Sequence, residues 1–182
     1  MHQRFVLFCL LLALSQQAKA ANIFYGIALL NQEVDISVSS AGGTLTTSDD
    51  ASGIAVFADM YYQGRYRFNG TVSYVDYTSF YISSVTASAD YLIPINASFT
   101  LFAGVSGGVT SQVHSDSGVA DMAMSYLAGA QLGGIMVAGD HFMVELGYRQ
   151  RVTDLETELT NIDAVATIDK ISETYLSLNF IF

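Results

Sequence analysis

The stretch "RYRFNGTVSY", residues 65–74, places Tyr66, Phe68, Val72 and Tyr74 on alternate positions and Arg67, Asn69, Thr71 and Ser73 between them. A period of two puts the large apolar groups on one face of an extended strand and the polar ones on the other. A helix would need the apolar positions spaced three and four apart. The alternation recurs in "SSVTASADYLI" (83–93), "FTLFAGVSGGV" (99–109) and "FMVELGYRQR" (142–151), near the start in Ile23, Tyr25, Ile27 and Leu29, and at the end in "TYLSLNFIF" (174–182). Two weaker segments, 54–61 and 122–136, bring the count to eight strands. Tight turns are expected around Gln63-Gly64, Pro94-Ile95-Asn96 and Gly139-Asp140, and longer polar connections at 31–52, 75–79, 110–121 and 153–171. Short turns on one side and longer loops on the other describe an up-and-down meander. Eight such strands close into a barrel without an exposed edge.

The first twenty residues set the compartment. "MHQRFVLFCLLLALSQQAKA" has His2 and Arg4, an apolar run from Phe5 to Leu14, and the small-x-small triplet Ala18-Lys19-Ala20. That is the layout of a secretory signal peptide cleaved after Ala20. Residues 21–182 then form one barrel domain. The only cysteine, Cys9, leaves with the signal, so no disulfide staples the mature chain. The 7 basic residues lose Arg4 and Lys19, leaving five against 17 acidic ones, a net charge of −12. This excludes nucleic acid as a partner, since that needs a basic footprint. Yet 51% of the chain is apolar and only 13% charged.

Closure leaves two ways to orient the faces. A soluble barrel would bury the large apolar set and leave Arg67, Asp90, Glu145, Arg149 and Arg151 outside, yet small and polar residues on that second face suit a narrow lumen far better than rings of Tyr, Phe and Leu suit water. The expected fold is therefore an all-β, eight-stranded antiparallel transmembrane barrel with its apolar face to lipid. Tyr25, Tyr66, Tyr91, Phe99, Phe142, Phe180 and Phe182 share that parity near strand ends, as an interfacial girdle requires. An interior ion-pair network follows: Glu173 and Glu145 neutralise Arg149 and Arg151, and Asp59 answers Arg67. For this, Gly129 should lie near Arg149 and Gly133 near Glu145.

The terminal "LSLNFIF" resembles the C-terminal assembly signal of bacterial outer-membrane barrels, with Tyr175, Leu178, Phe180 and Phe182 as its positions. "DYLIPINASFTLFAGVSGG" (90–108) and "GDHFMVELGYRQR" (139–151) resemble strand-turn-strand segments of small OmpA-like barrel domains, and the single-domain layout looks OmpX-like. The resemblance implies residence in the outer membrane of a Gram-negative bacterium, contact with its lipids and lipopolysaccharide, handling by the barrel assembly machinery, and a role in surface interaction, with an extracellular ligand or surface, or in envelope integrity. A narrow channel or OmpW-like route for small molecules is the alternative, and a lipid A-modifying enzyme a third reading. His114, Ser115 and Asp116 are adjacent along one loop and do not make a triad, because the base must be oriented onto the nucleophile by a third group. No enzymatic activity, catalytic residue, cofactor or metal is expected. The acidic loops, with Glu33, Asp35, Asp49 and Asp50 in the first, Asp116 and Asp121 in the third, and Asp154, Glu156, Glu158, Asp163 and Asp169 in the fourth, suit solvation and are also a chemistry that divalent cations favour.

Overall fold

A computed structural model describes residues 22–40, 43–114, 122–139, 141–159 and 164–180. Eight strands follow in order: β1 (Asn22–Ser40), β2 (Gly43–Tyr62), β3 (Tyr66–Asp76), β4 (Phe80–Pro94), β5 (Phe99–His114), β6 (Met122–Val137), β7 (Phe142–Leu159) and β8 (Ala164–Phe180). Each pairs antiparallel with the next, and β8 returns to β1 to close the barrel. The expected signal segment, Cys9, the Ser115-Asp116 pair, Asp121, Asp140, Asp163, Ile181 and Phe182 lie outside the described residues.

The faces sort as the alternation requires. Leu29 is 67% exposed and Val105 65%, whereas Arg67, Arg151 and Glu173 inside are each 1% exposed. In water each such outward side chain would forfeit roughly 1.5–3 kcal/mol of burial, whereas in a bilayer that cost vanishes. The wall is therefore built for lipid. Tyr66 pairs with Tyr91 and Phe142 with Phe180, both edge-to-face with centroids 5.7 Å apart, at the end where the tight turns lie. At the opposite end Tyr74 and Tyr81 lie 5.4 Å apart. The first of those tight turns has positive φ at both Gln63 (53°) and Gly64 (65°), with the Arg65 amide donating to the Tyr62 carbonyl at 3.2 Å. Those are the features of a type I′ turn, whose twist matches a hairpin.

The strands are longer than the alternation shows. Segments 31–52 and 153–171, read as loops, are mostly strand: β1 pairs with β2 as far as Ser40↔Gly43, and β7 with β8 as far as Leu159↔Ala164. The reason is composition. Residues 43–48 are exposed on both faces, so no apolar/polar contrast marks them. β3 stops at Asp76, and β2 meets it only from Gly53 inward, so the outer rim is uneven.

Following paired residues round the barrel from Gln32 leads through Glu173, Arg149, Gln131, Gly104, Asp90, Arg67 and Tyr61, and returns to β1 at Asn22. The return is ten residues from the start (32 − 22), which sets the shear and hence the strand tilt.

Candidate functional site

That single row of partners carries most of the interior polar chemistry. On β3 and β4, Arg67 Nε donates to Asp90 Oδ2 at 2.9 Å. On β4 and β6, Gln131 Nε2 donates to Asp90 Oδ1 at 2.6 Å, although β5 lies between them. The bond is open because β5 contributes Gly104 to the row, and a Cβ there would strike the Asp90 carboxylate. A glycine in the wall lets side chains two strands apart meet.

Arg67 is the hub of the lower layer. Both of its Nη groups donate to the Glu145 carboxylate on β7, the Nη2 bond at 3.1 Å, while Asp59 lies 3.8 Å from Nη1. Its guanidinium also covers the Phe102 ring, 4.3 Å from the centroid. Asn69 Nδ2 donates to Asp59 Oδ1 at 2.6 Å, and the Tyr175 hydroxyl donates to Glu145 Oε1.

In the upper layer Glu173 accepts from Arg149 Nη1 at 3.2 Å, Arg151 Nη2 at 2.8 Å and Gln32 Nε2 at 3.2 Å. The Tyr77 hydroxyl donates to Gln32 Oε1 at 3.1 Å, and its ring stacks on Phe80 at 4.5 Å. Around them Val34, Val75, Ile82, Leu155, Ile168 and Ile171 are buried. Above the charges, the lumen is packed with apolar side chains.

Two details of the expected network are corrected. Glu145 engages Arg67 rather than Arg149 or Arg151. Tyr175 causes the separation: Arg149 stacks on its ring at 4.1 Å, its hydroxyl bonds Glu145, and its ring occupies the space a Cβ at Gly147 would need. The register between β6 and β7 also differs by two residues, so Gly129 faces Arg151, Gly133 faces Gly147, and Gln131 faces Arg149. Tyr175, read with the terminal signal, thus points into the lumen, while Leu178 and Phe180 are half-buried on the outer face. The sequence reading left Asp90, Gln131, Gln32 and Tyr175 out of the network. Inward parity flagged Asp90, and a register counted from the Pro94-Ile95-Asn96 turn places Gly104 opposite it, but Gln131 comes from β6, beyond a longer connection that sets no register.

The second feature is the outward extension. Beyond Gly53, residues 43–52 of β2 pair with β1 alone, and beyond Val152 the rest of β7 pairs with β8 alone. The strands β2, β1, β8 and β7 therefore project as a four-stranded sheet; among the described residues its β2 edge has no strand beside it, while on the β7 side the Asp154 amide still donates to Ser125 Oγ on β6 at 3.3 Å. It carries Glu33, Asp35, Asp49, Asp50, Asp154, Glu156 and Asp169. Glu33 sits directly opposite Asp50, and Lys170 lies 3.3 Å from Asp35.

The closed meander, lipid-facing belt and filled lumen define a small transmembrane β-barrel of the outer-membrane type. The chain matches no protein-family model and no curated protein. Among solved structures it is similar to Neisserial surface protein A (15% identity, 86% of this chain and 97% of that one, TM-score 0.62). It is also similar to the outer membrane protein OprH from P. aeruginosa, in micelles (19% identity, 89% and 100% covered, TM-score 0.60). OprG from Pseudomonas aeruginosa follows, at 11% identity, 89% and 96% coverage and a TM-score of 0.54. At these identities the likeness is one of fold.

Proposed function

We propose that the protein is an integral protein of the bacterial outer membrane that acts in surface interaction, the barrel serving as anchor and the projecting sheet as the binding element. The observation that carries this reading is the edge of β2 at residues 43–52, whose outward backbone groups have no strand beside them among the described residues. Unpaired edges template the addition of another strand, and proteins normally blunt them with Lys, Pro or a cover. Residues 43–52, "GTLTTSDDAS", contain neither Lys nor Pro. With Glu33, Asp49 and Asp50 beside it, the edge suits an extended segment bearing basic side chains. A solute route through the barrel is opposed by Arg67 reaching from β3 to β7 and by the apolar packing above Glu173.

The test compares cells producing the wild-type chain, a Thr44→Pro/Thr46→Pro variant, and none. Binding to an immobilised extended basic peptide should fall to the level of non-producing cells in the proline variant, with barrel insertion unchanged. Unaltered binding, together with small-solute permeability that depends on the protein, would replace this reading with transport.

A further inference from the structure

The lipid-facing wall is not uniformly filled. A hollow of about 490 Å³ lies over β1, β2 and β3, between Tyr25 and Phe180 on one side and Val72 on the other. It opens where the outward side chains shrink to the cross-strand pair of Ala58 and Gly70, and a Cβ on Gly70 would meet nothing within 4 Å. A second hollow, of about 460 Å³, lies over β8, β1 and β2 beside Leu29, Ile54 and Leu176. Ile27 and Val56 line both hollows, stand directly opposite each other, and are 55% and 56% exposed. They form a ridge with an apolar trough on either side.

The hairpin that holds the first hollow ends on a cation. Arg65 follows the β2–β3 turn, its backbone fixed by bonds to Tyr62 on one side and Leu92 on the other, and its side chain is exposed. No carboxylate among the described residues lies within ion-pair distance of it. The acids nearest this end, Asp59, Asp90 and Glu145, are buried in the lumen. Arg65 therefore presents its charge to the membrane surface, beside the exposed Tyr62 and Tyr66, whose rings suit the headgroup level.

We propose that this wall holds one diacyl phospholipid with an anionic headgroup of the phosphatidylglycerol class, its phosphate on Arg65 and its two chains in the troughs on either side of the Ile27–Val56 ridge. Two chains joined at one headgroup match two adjoining troughs, and a guanidinium without an acid beside it matches a phosphate. The depth agrees as well. Ala58 and Gly70 lie four residues from Tyr62 and Tyr66 along the hairpin, or about 13 Å, within the hydrocarbon half-thickness of about 15 Å. Tight turns of outer-membrane barrels face the periplasm, so the lipid belongs to the periplasmic leaflet.

The experiment is native mass spectrometry of the folded barrel in micelles containing equal dioleoyl-phosphatidylglycerol and dioleoyl-phosphatidylcholine. The wild type should retain one phosphatidylglycerol, favoured about fivefold over phosphatidylcholine, the ratio expected of one basic side chain at the headgroups. Arg65→Gln should bring that ratio to about one. Gly70→Leu, which fills the first trough and leaves every charge in place, should lower retention of both lipids, and Ala58→Leu replaces it if that variant does not insert. Equal retention of the two lipids by the wild type would overturn the proposal, as would an unchanged ratio in Arg65→Gln or undiminished retention in the trough-filling variant. Displacement of phosphatidylglycerol by lipopolysaccharide would assign the wall to the other leaflet and overturn it too.

Discussion

The Arg67 guanidinium on β3 bonds the Glu145 carboxylate on β7, 78 residues away in sequence and four strands away in either direction round the barrel. No pairing register links these strands. The contact exists because the lumen is narrow enough for two long side chains to span it.

Arg67→Met leaves Glu145, Asp90 and Asp59 without their shared guanidinium and should destabilise the barrel by about 3–5 kcal/mol, whereas Glu145→Gln leaves Arg67 paired with Asp90 and should cost less. The double variant should lose clearly less than the two together. Urea unfolding of the three variants in lipid vesicles checks this, and strict additivity would mean the pair does not interact.

Tyr175 needs the bare backbone of Gly147, whereas a Cβ at Gly70 meets nothing within 4 Å. Gly147→Ala should therefore cost about 1–3 kcal/mol through overpacking. Gly70→Ala should stay within about 0.5 kcal/mol of wild type. Equal effects in thermal unfolding would show that Tyr175 is not wedged there.

The one cysteine, Cys9, lies outside the described barrel, so single substitutions within the barrel report topology directly once Cys9 is replaced. Thr46→Cys should react with a membrane-impermeant maleimide on intact cells, and Gln63→Cys or Gly139→Cys only after the outer membrane is opened. The reverse pattern would invert the barrel in the membrane.

Assembly should depend on aromatic groups at the terminal strand. Phe182→Ala is expected to lower membrane insertion far more than Ile181→Ala, with Phe180→Ala, which also loses its edge-to-face contact with Phe142, closer to the former. Quantified insertion in cells tests it, and matching losses for the neighbouring positions would remove the terminal residues' special role.

Much of this architecture was legible because a strand exposed to lipid on one face and to a polar lumen on the other writes its period into the sequence, as residues 66–74 do. Turn residues such as Gln63-Gly64 fixed the strand count. The charged set was visible by parity, but its partners were not. Arg67 meets Glu145 through space, Tyr175 intervenes between Glu145 and Arg149, and Gly104 opens a path from Gln131 to Asp90, all of which depend on three-dimensional packing. The projecting sheet was hidden for the opposite reason. With both faces wet, residues 43–48 carry no alternation to read.

The closing seam between β1 and β8 runs up the middle of that sheet, its pairs extending from Tyr25↔Phe180 to Ser39↔Val165 with one shift between Asp35 and Ile36. A partner tugging outward on the tip therefore pulls along the ladder rather than across it. Hydrogen bonds loaded in that direction share the force and must slide together, whereas a seam at a sheet's border would peel one rung at a time. The join between β1 and β8 is placed where a pull along the projecting sheet is spread most evenly.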